Sequence, residues 1–343
     1  MKVATGKLSL YGVLFICGSV LPLISACTKQ VVPEREHPAF TNTGTWEATI
    51  TAPPDLKMAL TGGQVAHLPS GGAAPIPVRV FGKDGKKTPV IMAHGLQSHS
   101  GWFAQSAAFI AGLGHPVYSM DRRGSGLSQS KRGDLKDFKE MIADITTVRN
   151  FVTARHAKDR LYLLGHCFGA IPATAYAAEY PGSLKGLILT TPAIYTKTSI
   201  PFRYKLKIAF SRSGRRNFMV PSPLKTSWFT ELDEYEEFIK SDDLSLQEAT
   251  GDFYYQIHKA RKYIYKHRDR FTMPIFLGIA GEDPICDNER TIKFFNNLPS
   301  QDKDRVEYED ARHILEFSSV KETYFRDLAQ WLTTHEGAQA WLP

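Results

Sequence analysis

Four cysteines in 343 residues are too few for a scaffold stapled by disulfides. No fixed-period repeat and no low-complexity tract runs through the chain, which sets aside solenoids and linkers as its main architecture. The sequence has no glycine-rich phosphate loop and no His, Cys and carboxylate group at metal-ligand spacing, so no cofactor is expected. Aromatic and basic residues are not interleaved in the manner that binds nucleic acid. The apolar stretch from Leu8 to Leu23 is short and broken by Pro22, which disfavours a spanning helix. What is present, 43% hydrophobic and 22% charged residues, is an ordinary globular balance with material for one sizeable core.

The first residues read as a processing signal. Lys2 and Lys7 give a basic start, the apolar stretch follows, and Leu23-Ile24-Ser25-Ala26-Cys27 closes it. That pentapeptide resembles a bacterial lipoprotein box, which implies removal of residues 1–26, acylation of Cys27 and attachment to a bilayer. Thr28 follows Cys27 in place of an aspartate, and the resemblance then implies an outer-membrane lipoprotein of the bacterial envelope. Residues 27–42 are expected to be the tether. Loss of residues 1–26 leaves 40 basic against 35 acidic residues, a mild excess. Some of it gathers from Arg203 to Arg216, read as a solvated helix face, with contact to anionic lipid as the alternative. Cys17 leaves with the signal, so the thiols of interest are Cys167 and Cys286, for which a structural disulfide is disfavoured by where Cys167 stands.

Short apolar runs recur at 89–95, 116–124, 161–167, 186–192 and 274–283, with helical patterns at 98–113, 134–156 and 168–180 between several of them. Strands alternating with helices predict a doubly wound, mostly parallel α/β sheet. Two earlier segments, 47–50 and 76–82, alternate as antiparallel edge strands do. Residues 197–271 break the rhythm: no strand-like run stands there, only helical pieces rich in aromatics, among them Phe202, Tyr204, Phe210, Trp228, Phe229, Phe253, Tyr254 and Tyr255. They read as a helical lid over the carboxyl edge of the sheet, where open α/β sheets bind ligands. The expected organisation is a core in two parts, 43–196 and 272–343, around a cap at 197–271.

Within this frame the segment Gly165-His166-Cys167-Phe168-Gly169 follows a buried strand and opens a helical pattern. A residue that turns the chain directly from strand to helix takes a strained backbone conformation, and its neighbours two positions away must be small. Cys167 stands where such a turn holds a nucleophile.

These residues resemble the α/β-hydrolases, and within them the capped monoacylglycerol-lipase and lysophospholipase branch, over roughly residues 60–336. His94-Gly95-Leu96 resembles the family's loop after the third strand, which implies an oxyanion hole made by the N–H groups of Leu96 and Phe168. The segment from Asp121 to Ser128 resembles the family's loop before the next helix and is read as a fold marker without chemistry. Gly281-Glu282-Asp283 resembles the acid loop and makes Asp283 the carboxylate, with Asp287 or Glu282 as rivals. The segment around His313 resembles the histidine loop and makes His313 the base. His94 and His166 are expected to shape backbone, and Cys286 to lie near the site without a role.

The family's usual nucleophile is serine. Cysteine in its place implies a thioester intermediate, which reacts readily with amines and thiols and hydrolyses comparatively slowly. The first expectation is an acyl hydrolase acting on lipid-like esters or thioesters. A Cys-dependent acyltransferase to an amine or alcohol is the alternative, and an inactive binding protein on the same fold is the third. Partners are therefore an acyl-containing substrate and, through Cys27, the membrane; no nucleic acid is expected.

Overall fold

In the computed structural model the described residues are 50–71, 73–211 and 216–337. The leader, Cys27, the tether and all but the last residue of the 47–50 segment lie outside them. Among the described residues no helix is long and apolar enough to cross a membrane.

The chain opens with α1 (Pro54–Thr61), then β1 (Gln64–Ser70) and β2 (Ala73–Phe81), an antiparallel pair. A regular alternation follows: β3 (Val90–Ala93), α2 (Ala104–Gly112), β4 (Val117–Met120), α3 (Lys139–His156), β5 (Leu161–His166), α4 (Ala170–Glu179) and β6 (Leu184–Thr190). After β6 come α5 (Phe202–Phe210), β7 (Met219–Pro221), α6 (Asp233–Ser241), β8 (Glu248–Thr250) and α7 (Gly251–Lys266). The chain then returns through β9 (Ile275–Ala280), α8 (Asn288–Asn296), β10 (Lys303–Tyr308) and α9 (Lys321–Gly337). Eight strands form one sheet in the order β1-β2-β4-β3-β5-β6-β9-β10, parallel from β4 onward and antiparallel at the β1 end.

Every residue of β3, β4, β5 and β9 is buried, as a strand covered by helices on both faces requires. That is why these strands read as continuous apolar runs and their positions were legible. The structure corrects two expectations. β2 is antiparallel, but it lies inside the sheet between β1 and β4, with Ile76 to Phe81 all buried, so β1 is the edge. Residues 197–271 also contain two strands, β7 and β8, paired antiparallel as a separate small sheet. Three residues each are too few to show a period of two.

Parallel pairing of β5 between β3 and β6 carries all three carboxyl ends to one edge. The turn at Cys167, the loop after β3 and the loop after β6 therefore meet there, together with the loop that follows β9.

Candidate active site

Cys167 follows β5 directly, with φ of 51°, the left-handed region that a side chain rarely adopts. The flanking glycines make the turn possible. A Cβ at Gly169 would stand 2.0 Å from the Ala93 carbonyl oxygen, and one at Gly165 would stand 2.7 Å from Ala170 Cα. Neither position admits any other residue without moving a strand against α4. Cys167 is only 2% exposed, and its side chain contributes to a cavity of about 670 Å³. Leu96 and Phe168 line the same cavity.

His313 and Asp283 arrive from loops after β10 and β9. Nδ1 of His313 lies 2.9 Å from Asp283 Oδ2, and both side chains are buried. The other carboxylate oxygen accepts the N–H groups of Ile285 (2.8 Å) and Cys286 (3.0 Å). Burial favours a neutral carboxyl, but the His313 charge and these donors outweigh it and hold Asp283 below the usual carboxylate range. Burial likewise opposes charge on His313, whereas Asp283 and the nearby Cys167 and Cys286 sulfurs raise it well above an ordinary histidine. His313 Nε2 is buried and has no hydrogen-bond partner. An imidazole fixed at one nitrogen and unoccupied at the other is arranged to exchange a proton with a reacting group.

The rival acids are elsewhere: Glu282 is exposed, and Asp287 caps α8 by accepting the Arg290 N–H at 3.0 Å. His94 shapes backbone, with Nδ1 2.9 Å from the Gly95 carbonyl and Nε2 accepting the Arg122 N–H. His166 bonds Thr190 through Nδ1 at 3.1 Å. Burial holds both histidines down, His94 to about 3. Cys167 and Cys286 are both free thiols. Donor atoms of Asp283, Cys286 and His313 lie within 4.8 Å of one another, a spacing open to a metal ion. Two of those donors, however, are already bonded to each other.

Two features escaped the sequence. The Arg122 segment is more than a fold marker, because the buried guanidinium donates to the Leu96 carbonyl and lies 5.2 Å from the Phe168 ring and 5.1 Å from that of Phe253. It braces the two residues whose N–H groups are the candidate oxyanion donors. Burial lowers its affinity for the proton to about 9, which leaves it cationic near neutrality. The aromatic residues after β6 also divide differently from expectation. Trp228 and Phe229 do not line the cavity; the Phe229 ring packs edge-on against His313 at 5.9 Å, and the Trp228 and Phe229 carbonyls accept the His313 and Ile314 N–H groups. The cavity wall comes instead from Ile200, Ile208, Leu224, Tyr254, Tyr255 and Ile257. No local pattern marks which aromatic faces inward, since that depends on how the segment folds back over the sheet.

An eight-stranded mostly parallel sheet, a strained turn after its central strand, and a His–Asp pair delivered from later loops define an enzyme of the α/β-hydrolase fold. The chain belongs to the hydrolase family described as serine aminopeptidase, S33, whose model matches residues 85–318. Human monoglyceride lipase is 25% identical over 254 residues, covering 72% of this chain and 82% of the lipase. Among solved structures, the monoacylglycerol lipase of Paleococcus ferrophilus superposes with a TM-score of 0.68 at 22% identity, covering 76% of this chain and 99% of that one. A soluble variant of monoglyceride lipase from Saccharomyces cerevisiae, in complex with a substrate analogue, gives 0.70 at 19% identity over 81% of this chain and 96% of its own.

Proposed function

We propose that this protein is a membrane-anchored acyl hydrolase that cleaves lipid-like esters or thioesters through Cys167, His313 and Asp283 and a covalent thioester. One observation carries the reading: among the described residues, the only thiol on the cavity wall sits in the strained turn after β5, while the nearby His313 has an unpartnered, buried Nε2 and a carboxylate on Nδ1.

In this reading Cys167 gives its thiol proton to His313 Nε2, its Sγ attacks the substrate carbonyl carbon, and the negative oxygen that forms is met by the N–H groups of Leu96 and Phe168. Collapse expels the alcohol or thiol, which takes its proton from His313 Nε2, and the acyl group remains on sulfur. Water then attacks the thioester, giving its proton to His313 Nε2, and Cys167 leaves as the acid is released. Asp283 holds the imidazole orientation and favours its charged form throughout. Nothing in these residues restricts the second step to water, so transfer to an amine or alcohol is the runner-up.

The apolar cavity wall suits an acyl chain, as do the relatives' names. On α5, Phe202, Leu206 and Phe210 form an exposed row at four-residue spacing, next to Arg203 and Lys207, a face compatible with a lipid surface. Acylation of Cys27 would hold the enzyme at the outer membrane.

Intact mass after brief exposure to a panel of activated esters tests the reading. Acyl adducts on Cys167, absent from Cys167→Ala, are expected, with decay in water for a hydrolase and faster decay with an added amine for a transferase. Failure of every ester to acylate or turn over leaves the binding-protein alternative. Membrane-extracted protein should begin at Cys27 and carry diacylglycerol; a soluble form with a free Cys27 thiol would remove the anchor.

A further inference from the structure

The cavity that contains Cys167 is apolar along most of its wall; besides hydroxyls, its polar side chains among the described residues are basic. Arg261, Lys205 and His258 line it, and no aspartate or glutamate does. Three of the lining groups come from one face of α7, where Tyr254, His258 and Arg261 recur at helical spacing. Arg261 reaches furthest toward the turn: it donates through Nη2 to the Ala193 carbonyl at 2.8 Å, and the Ala193 N–H in turn bonds the Cys167 carbonyl at 2.9 Å. Its Nε is buried without a partner, as is the Tyr254 hydroxyl. Lys205, an exposed residue of α5 that also lines the cavity, donates to the Ser199 hydroxyl at 3.0 Å.

The half-buried Arg261 guanidinium, bonded to one neutral carbonyl, uses a single donor of its five, and a cation partly withdrawn from water without a facing carboxylate gives up hydration that nothing there replaces. A purely structural role, tying α7 to the loop after β6, needs only that one bond. It accounts neither for the missing counterion nor for the unpartnered donors on the same wall.

We propose that this wall binds an anionic group, a carboxylate or a phosphate, carried by the acyl substrate, with Arg261 as its main ligand and Tyr254 and Lys205 as supporting donors. The inference rests on the reading of Cys167 as the residue that accepts the acyl group, and adds to it that the preferred substrate is charged. Guanidinium suits either anion because both offer two oxygens in one plane. A carboxylate would come from the far end of the acyl chain, and a phosphate from the alcohol side of a lysophospholipid.

Two substrate pairs distinguish the sources. Mono-p-nitrophenyl glutarate against p-nitrophenyl butyrate reads the acyl-borne carboxylate, and 1-oleoyl-glycerol-3-phosphate against monooleoylglycerol reads the phosphate. In at least one pair the anionic member should have the higher kcat/KM. Arg261→Gln and Arg261→Met should cut that ratio by at least about tenfold, with partial recovery in Arg261→Lys. Lys266→Gln, which removes an exposed charge from the end of the same helix, should leave the ratio as it was. Equal rates within both pairs, or an unchanged ratio in folded Arg261→Met, would overturn the proposal; Arg261→Lys serves if the other two variants do not fold.

A second readout does not need turnover. Decyl phosphate or decanoate should protect Cys167 from iodoacetamide better than decanol does, and the difference should vanish in Arg261→Gln. Turnover without Arg261-dependent discrimination defeats this inference and leaves the enzyme reading standing. Anion protection without any acylation or turnover does the opposite.

Discussion

The two buried thiols lie beside the same histidine in different surroundings, and the proposed function assigns chemistry to one of them alone. Cys167 occupies a strained turn and faces a cavity that Arg261 also lines, and the Arg122 guanidinium lies 5.2 Å from the ring of its neighbour Phe168. Cys286 sits 3.9 Å from His313 Nδ1, on the nitrogen already committed to Asp283, and its S–H donates to the Thr191 carbonyl at 3.0 Å. Burial first, and the Asp283 charge second, push the Cys286 thiol far up. The difference teaches that nearness to a histidine does not make a nucleophile. Access to a substrate and a positive neighbourhood do.

The largest effect should come from removing the first thiol. Cys167→Ala should lower kcat/KM for an activated ester by at least about a thousandfold and abolish acyl adducts. His313→Ala should slow iodoacetamide labelling of Cys167 while Cys286 stays unlabelled in both proteins. Labelling of Cys286 in the folded enzyme at neutral pH, or full activity in Cys167→Ala, would erase the contrast between the two.

Next in size is the backbone that presents Cys167. In Gly169→Ala the added methyl would meet the Ala93 oxygen at 2.0 Å, so β3 and α4 must separate. The variant should lose at least about 4 kcal/mol of stability or fail to accumulate. A thermal melt of Gly169→Ala close to the parent's would show that the turn is not held as described.

A third buried proton sits on the same histidine loop. Glu316 accepts the Ser106 N–H at 3.0 Å and its hydroxyl, while Oε1 has no partner. Burial pushes the carboxyl from 4.5 up to about 8, against the Ser106 hydrogen bonds. Folding therefore favours the protonated acid: the contribution is full below about 4.5 and is lost as pH rises through about 8. His94 and His156, held down to about 3 and about 4, act in the opposite sense, but only below their ordinary value of 6.5. Between pH 6.5 and 8, Glu316 should contribute a fall in stability of up to about 1.4 kcal/mol per unit, added to a fall of the same sign from His313, which is also held above its ordinary value. Glu316→Gln should flatten that slope in denaturant titrations; an unchanged slope would place the charge elsewhere.

How much of this was legible in the sequence follows the same divide between local and long-range constraint. β3, β4, β5, β6 and β9 announce themselves because a strand buried on both faces must be apolar throughout. Gly165 and Gly169 announce the turn because its geometry forbids a side chain. β10 gives no such signal: as an edge strand pairing only β9, it leaves Asp304, Arg305 and Glu307 exposed, and Lys303-Asp304-Arg305-Val306-Glu307-Tyr308 looks like a loop. Asp283 and His313 were singled out by resemblance to family loops, yet nothing in their own neighbourhoods states that they meet, as they do at 2.9 Å. Arg122 and Arg261 were missed because an arginine's role here depends on which carbonyls, rings and cavity it reaches across the fold.

The smallest expected effect tests the comparison from its quieter side. Cys286 Sγ is buried and makes two weak contacts, with the Thr191 carbonyl and His313 Nδ1, so Cys286→Ala removes one buried sulfur and should cost about 1 kcal/mol. Asp283 keeps its two backbone donors in that variant, because the Cys286 N–H belongs to the main chain. The His313–Asp283 bond should therefore persist, and kcat/KM should change by less than about threefold. Cys286→Asp is the harsher companion: a second carboxylate beside Asp283 should raise the pH at which His313 loses its proton and move the acid limb of the rate profile, provided the protein folds. If Cys286→Ala instead cost tenfold or more in rate without loss of fold, the sulfur near Nδ1 would be steering the imidazole, and the two thiols would share the site.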